Sequence, residues 1–353
     1  MRIAQFAPLW ETVPPKKYGG TELVVYILCE ELSRRGHEVT LFASGDSKTS
    51  ANLEAIIDKP MRESGYLNVS CYESMAMAKL IEMKDNFDIV HNHLGPSFIP
   101  FSGLLGIPVV NTIHGAFINK EDISFCMKYK DSPFISISDS QRDGAPELNY
   151  ISTVYNGIQV EKYTYQDKTD SNDPYIAFLG RLSEEKGVHL AIKLAKETGH
   201  KLIIAGKIDV ADRKYYEKDV KHLIDNKQIV YIGELGHDDK VKLLKNAFMT
   251  VHPVTWPEPF GLVMAESMAC GTPVLALNQG SIPEVIKNKV SGYVENNIKS
   301  LIKRVKDVEK IDRKACRKHV EDNFSAERMT EGYLSVFRKV ISSRIKNLES
   351  SGV

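Results

Sequence analysis

Short apolar runs that read as buried strands alternate with amphipathic helix patterns along this chain, and the alternation happens twice. In the first stretch the strand patterns are Arg2–Pro8, Glu38–Ala43, Asp88–His91, Val109–Thr112, Phe134–Ser138 and Thr153–Tyr155. Helical periodicity runs from Leu23 to Arg35, with Thr21 as its expected N-cap and Gly36 closing it, and again from Glu73 to Lys84. A polar interruption, Asp167–Pro174, reads as a linker or long turn. The pattern then restarts, with strands expected at Ile176–Leu179, Lys201–Ala205, Ile229–Ile232, Thr250–His252 and Val274–Leu277, and a last amphipathic helix from Ala326 to about Ile345. Strands separated by helices pair in parallel, because each crossover lays a helix on the sheet. The expectation is α/β: two doubly wound, Rossmann-like domains, residues 1–160 and 161–325. In open parallel sheets ligands sit beyond the carboxyl ends of the strands, so the informative residues are those just after strands.

Composition removes several alternatives. The 353 residues carry 46 Lys+Arg against 46 Asp+Glu and 42% hydrophobic residues, which is globular rather than disordered. The longest near-continuous apolar stretch, Phe101 to Val110, is half the length needed to cross a bilayer, so no stable membrane insertion is expected. Glu11 falls where a signal peptide would still be apolar. Cys29, Cys71, Cys126, Cys270 and Cys316 are scattered, odd in number and form no Cys-x-x-Cys, which argues against a zinc ribbon and for a reducing cytoplasm. Residues 1–160 hold 14 basic and 19 acidic side chains, the remainder 32 and 27, so the second half is the basic one. Its densest basic stretch, Lys299 to Lys318, is broken by Asp307, Glu309 and Asp312 and reads as a solvated helix face rather than a nucleic-acid surface.

Five segments carry chemistry. In Trp256-Pro-Glu-Pro-Phe-Gly-Leu-Val-Met-Ala-Glu, a strand runs into a Pro-held loop and then a helix from about Gly261 to Cys270. The amides of Phe260, Gly261 and Leu262 make a ready anion site. Glu258 and Glu266 suit hydroxyl recognition, since a carboxylate accepts hydrogen bonds from neighbouring OH groups; acids favouring a helix N-terminus would leave the same signature. Gly180-Arg181-x4-Lys186-Gly187 places two cations beyond a strand, fit to neutralise a diphosphate or, alternatively, to pair with Glu184 and Glu185. Gly19-Gly20, in Lys16–Glu22, allows close backbone approach to a ligand, without the dinucleotide fingerprint of a nicotinamide cofactor. His114 follows one strand, and His91-Asn92-His93 ends another. No Asp-x-Asp is present to hold a divalent ion on a diphosphate, and no Ser-His-Asp, Walker or Gly-x-Ser-x-Gly pattern occurs.

Together these segments resemble glycosyltransferase family 4, the retaining nucleotide-sugar transferases of GT-B fold. The matching residues are Gly19-Gly20, Thr112-x-His114-Gly115, Asn156-Gly157-Ile158, Gly180-Arg181-x4-Lys186-Gly187, Ile232-Gly233-x-Leu235, Glu258-x7-Glu266 and Gly280-Ser-Ile-Pro-Glu284, in family order across almost the whole chain. The resemblance implies two domains facing across a cleft, with the 326–345 helix crossing back to the first. It implies Glu266 on the ribose, backbone around Gly233 and Leu235 at the base, and Arg181 and Lys186 on the diphosphate with help from backbone near Gly19 and Gly20. Phe260, Gly261 and Leu262 amides would meet phosphate and sugar, Glu258 a sugar hydroxyl, and His114 the transferred sugar. His91, Asn92 and His93 are expected on the acceptor side.

No carboxylate nucleophile is evident, so same-face attack is expected, with the leaving phosphate taking the acceptor's proton and no metal or other cofactor required. The expected donor is UDP-glucose or another UDP-hexose, with GDP-mannose the alternative, and the acceptor a soluble sugar, glycoconjugate or small molecule. A non-catalytic nucleotide-sugar-binding protein is the competing reading from another class.

Overall fold

The computed structural model describes the chain except residues 18, 67, 170–172, 352 and 353, with side chains described as far as Lys346. Part of the polar interruption, residues 170–172, and position 18 of the Gly-Gly segment therefore lie outside the described residues. Two compact units result: Met1–Gly157 with Ala326–Val353, and Ile158–Ser325.

The first unit is built on seven strands, β1 (Arg2–Phe6), β2 (Glu38–Ser44), β3 (Asn52–Ile57), β4 (Ile89–Asn92), β5 (Val109–Thr112), β6 (Phe134–Ser136) and β7 (Tyr150–Thr153). All pair in parallel, in the order β3-β2-β1-β4-β5-β6-β7. Helices Gly20–Arg34 and Val69–Met83 lie among them in sequence, and the final helix, Ala326–Ser351, completes the unit. Phe6, Phe42, Phe87 and Phe98 fill the core on one face of this sheet, with ring centroids 5.0–5.9 Å apart, a spacing at which edge and tilted aromatic contacts are favourable.

The second unit holds β8 (Tyr175–Leu179), β9 (Lys201–Ala205), β10 (Ile229–Tyr231), β11 (Met249–His252), β12 (Val274–Leu277) and β13 (Gly292–Glu295), again all parallel, ordered β10-β9-β8-β11-β12-β13. The strand order reverses at β1/β4 in one sheet and at β8/β11 in the other. At such switch points the loops beyond the strands diverge and leave room for a ligand.

Several local expectations need correction. Thr21 lies inside the first helix; Gly19 occupies the N-cap position, and no side chain caps it. Strand β7 sits at Tyr150–Thr153, so the apolar Val154 that suggested a later strand follows it instead. β3 and β13 were not evident from sequence: both are edge strands, and in β3 only Ile57, at its end, is buried. The Lys299–Lys318 stretch is not wholly a solvated face. Arg313 is buried, donating to the carbonyls of Gln166, Ala247 and Lys245 and to Thr272 Oγ1. Arg317 donates to the carbonyls of Tyr163 and Ala269, placing a cation at the C-terminus of the helix Leu262–Ala269 where the dipole favours it.

Candidate functional site

The residues of interest in the second unit collect beyond β8 and β11, the two strands flanking its switch point. After β11 the chain turns through Pro253 and Pro257 to Gly261, whose φ of +79° begins the Leu262–Ala269 helix. A Cβ at Gly261 would lie 2.6 Å from Met264 Cε and 3.3 Å from Glu258 Cγ, so only glycine lets the chain enter the helix this closely beside Glu258. The helix begins at Leu262, and its first amides have no intrahelical acceptor. Phe260 is buried and meets Phe324 edge-on at 5.6 Å, which holds the loop down from its apolar side.

The Gly280-Ser-Ile-Pro-Glu284 segment acquires a structural reason here. Ser281 donates its amide to the Glu258 carbonyl at 2.9 Å and its hydroxyl to the Phe260 carbonyl at 3.0 Å. Gly280, at φ +55°, packs so closely that a Cβ would fall 2.4 Å from the Glu258 carbonyl oxygen. That segment is a brace for the Glu258 loop.

Glu258 is buried, and its partners are all on one oxygen. Lys186 Nζ lies 2.5 Å and Trp256 Nε1 3.0 Å from Oε2. His252 Nε2 stands 3.7 Å from the same atom, too far for a hydrogen bond, and is itself buried with no partner. Burial alone would raise this carboxyl, but Lys186 and His252 beside it overcome burial and hold it at about 2. Lys186 also sits over the Trp256 ring at 4.7 Å, a cation–π contact that fixes the ammonium from a second side. Oε1 of Glu258 takes no hydrogen bond from a described residue.

Glu266 repeats the pattern on the buried side of the helix. Lys240 Nζ, 2.5 Å away, and the Tyr163 hydroxyl, 2.8 Å away, both meet Oε1, while Oε2 is left without a described partner. Burial, and then Glu266 itself, raises the Tyr163 phenol, so it stays a neutral donor. Arg181 lies just past β8 and pairs with Glu185 one turn on, with Asp212 Oδ2 3.4 Å from its Nε. The Glu185 carbonyl also accepts the Thr255 amide at 2.8 Å, which ties the Arg181–Gly187 loop to the loop after β11. Of the two pairings the sequence left open for these cations, Arg181 does take Glu185, whereas Lys186 reaches Glu258. Gly233 and Leu235 follow β10; Gly233 accepts the Gly206 amide at 2.8 Å, and Leu235 packs partly buried against Ala205 and Leu243.

In the first unit Gly19 and Gly20 open the helix after β1, and a Cβ on Gly19 would lie 2.6 Å from Pro15 Cβ. His114 lies two residues past β5, half-buried, and desolvation lowers its pKa to about 4. It is joined to His93 and His91: His93 Nδ1 is 2.8 Å from His114 Nε2, and His93 Nε2 is 3.1 Å from His91 Nδ1. His91, Asn92 and His93, the residues expected on the acceptor side, have buried side chains, with Asn92 bonded to Asn111 and the Gly95 carbonyl, because β4 is a central strand covered on both faces. Among the described residues no group of three or more His, Cys, Asp or Glu is arranged to hold a metal ion, and no helix is long and apolar enough to cross a membrane.

Sequence reading overlooked His252, Lys240, Tyr163, Asp212 and Gln5. A strand-end position was signal enough for His252. For Lys240 and Tyr163 there was none, because they reach Glu266 from 26 and 103 residues away.

Two family models match the chain: Glycosyltransferase Family 4 over residues 18–162 and Glycosyl transferases group 1 over residues 160–323. An uncharacterized glycosyltransferase of Methanocaldococcus jannaschii is 28% identical over 83% of this chain and 84% of its own length. Among solved structures, sucrose-phosphate synthase from Thermosynechococcus elongatus superposes with a TM-score of 0.78 at 16% identity, over 97% of this chain and 100% of that one. The Anabaena HepE structure in complex with UDP and glucose gives 0.76 at 16% identity, over 96% and 99%. At that identity the superpositions establish a common fold. With the family 4 model on its first half and the group 1 model on its second, the chain belongs to the GT-B glycosyltransferases.

Proposed function

We propose that this glycosyltransferase moves a hexose, with retention of anomeric configuration and without a metal ion, from a UDP-sugar to a hydroxyl of a soluble acceptor in the cytoplasm, UDP-glucose being the favoured donor. One observation carries the reading. Glu258 and Glu266, flanking the start of one helix, each have one oxygen fixed by a lysine and the other without a described partner. A carboxylate held that way is rigid and still has lone pairs to accept hydroxyl protons, as sugar recognition requires.

On this reading Glu266 Oε2 takes the ribose hydroxyls and Glu258 Oε1 a hydroxyl of the sugar, while backbone at Gly233 to Leu235 meets the base. The diphosphate lies against Arg181, Lys186 and the amides of Gly261 and Leu262; the family resemblance gives Gly19 and Gly20 to the phosphates and His114 to the transferred sugar. As the anomeric bond breaks, negative charge builds on the diphosphate, and the two cations and helix amides favour it more than the ground state. The carboxylates now pairing with Arg181 and Lys186 keep those cations in place until phosphate oxygens compete for them. The departing phosphate oxygen takes the acceptor's proton on the face from which it left, which gives retention without a covalent intermediate. HepE, crystallised with UDP-glucose, shares the fold and supports a UDP-sugar as the donor to try first.

The test is a thermal-shift screen of the purified chain with UDP, GDP, ADP and their sugar conjugates, with and without EDTA. A ligand that binds only the folded state raises the melting temperature by mass action. A shift with UDP and UDP-glucose that survives EDTA is expected. A shift with GDP and GDP-mannose alone would reassign the donor, and one lost in EDTA and restored by a divalent ion would remove the metal-free mechanism.

A further inference from the structure

Three histidine rings in the first unit form a single hydrogen-bonded chain with a glutamine at its middle. Reading from the half-buried end, His114 Nε2 lies 2.8 Å from His93 Nδ1, and His93 Nε2 lies 2.9 Å from Gln5 Oε1 and 3.1 Å from His91 Nδ1. His91 Nε2 in turn lies 2.8 Å from Thr112 Oγ1. The rings are closely packed, His91 and His93 tilted by 48° with centroids 3.8 Å apart, and Tyr333 and Phe337 of the final helix close over His91 at 4.7 and 5.3 Å. Burial lowers all three pKa values, so each ring is neutral at pH 7.

A neutral imidazole has one N–H and one bare nitrogen, and which is which is set by its neighbours. The Gln5 carbonyl oxygen only accepts, so the proton of His93 must be on Nε2. His93 Nδ1 is then bare, and His114 Nε2 has to be the donor facing it. That leaves Nδ1 of His114 bare, and this atom has no described partner. At the far end, His91 Nδ1 shares the same His93 proton, so the proton of His91 sits on Nε2 and points at Thr112. Every contact then has one donor and one acceptor. Rotating the Gln5 amide would present its Nε2, which is buried and unpartnered, to His93; every proton in the chain would then shift to the other nitrogen of its ring, and His114 would present an N–H.

We propose that Gln5 is a positioning residue that sets the proton polarity of the His91–His93–His114 chain, so that His114 offers a bare Nδ1, a hydrogen-bond acceptor, to a hydroxyl of the transferred sugar. The hydroxyl contact rests on the role given to His114 above; the polarity does not.

The experiment is long-range ¹H–¹⁵N NMR of the full chain labelled only at histidine, in which bare and protonated ring nitrogens have widely separated ¹⁵N shifts. His114 is assigned by the signal lost in His114→Gln. The expected wild-type spectrum has His114 protonated on Nε2 and bare on Nδ1; a protonated Nδ1 overturns the proposal, and this result needs no further variant to fold. Gln5→Met keeps the length but removes the acceptor, so His114 should exchange between tautomers and both its nitrogens move to intermediate shifts. A folded Gln5→Met with the wild-type His114 spectrum also overturns it. With UDP-glucose, Gln5→Met should lower kcat about tenfold, the worth of one hydrogen bond, at little change in KM. A tautomer that responds while turnover does not would leave the polarity device in place and remove the sugar contact of His114 instead.

Discussion

Glu22, in the first turn of the helix that Gly19 and Gly20 open, is buried, and burial raises its carboxyl to about 7. Glu11 adds to that rise and Arg62 opposes it. In the unfolded chain the same group ionises near its ordinary value of 4.5. Between those two values the folded state binds the extra proton, so stability from this group is fully present below about 4.5 and declines as pH rises to about 7, by about 3 kcal/mol. Glu22→Gln should abolish that slope, and the wild-type-minus-variant difference in urea stability across pH 4–8 isolates it from other carboxylates. A flat difference curve would mean that Glu22 is ionised in the folded state. Lys186 and Arg181 separate in another way. Lys186→Ala removes the cation from a buried carboxylate and should cost about 3–5 kcal/mol of stability, while Arg181, more exposed and paired to half-exposed Glu185, should cost far less. Both should lose about 3 kcal/mol or more of transition-state stabilisation. The double variant Lys186→Met/Glu258→Gln should recover stability without recovering turnover, which distinguishes the two roles by urea melts and single-turnover rates. At this scale the sequence singled out Glu258, Glu266, Arg181 and Lys186 because chemistry restricts residue type there, and the structure brings Lys186 onto Glu258. It was silent on Lys240, Tyr163 and Gln5, whose surroundings come from which atoms the fold places beside them, and it did not show that His91, Asn92 and His93 are buried, because strand-end residues of a central strand read the same whether they face inward or outward.

At the level of elements, the alternating apolar runs located ten of the thirteen strands among the described residues and met an eleventh, β7, only at Thr153, since buried parallel strands are nearly continuous in Val, Ile, Leu and Ala. The two that escaped, β3 and β13, are edges, but so are β7 and β10, so lying at an edge is not by itself what hid them. Loops were the least legible elements, and the Glu258 loop shows why. Its shape is decided by Gly280 and Ser281, more than twenty residues on, whose backbone it touches. Gly280→Ala should therefore combine a left-handed backbone penalty with a clash against the Glu258 main chain, about 3 kcal/mol in all. Gly106 is the control: its φ of +70° is similar, but a Cβ there meets nothing within 4 Å, so Gly106→Ala should cost only about 1 kcal/mol. Urea midpoints at constant m-value measure both. If the two glycines cost the same, the brace is not rigid and the Glu258 loop is free to adjust.

For the molecule as a whole, the chain path makes the two units unequal. Ile158–Ser325 is one continuous segment with its own six-stranded sheet, whereas the first unit needs two pieces, Met1–Gly157 and the final helix. That helix buries Met329, Tyr333, Leu334, Val336 and Phe337 against it, with Tyr333 and Phe337 wholly out of water. At roughly 1.5–3 kcal/mol per large apolar side chain, the burial is worth about 10 kcal/mol, comparable with the entire stability of an ordinary domain. The expected result is that residues 158–325 expressed alone fold cooperatively and retain a thermal shift with UDP, because Glu266, Lys240, Tyr163, Arg181 and Lys186 are all within them. Residues 1–157 alone should not fold, and should regain a cooperative melt when 326–353 is fused to them by a flexible linker. His91 lies directly under Tyr333 and Phe337, so the same fusion should also restore the His114 tautomer signal that the bare fragment lacks. A cooperative melt of residues 1–157 without the helix would show that the sheet is sufficient by itself, and that the returning helix serves something other than the stability of the unit it covers.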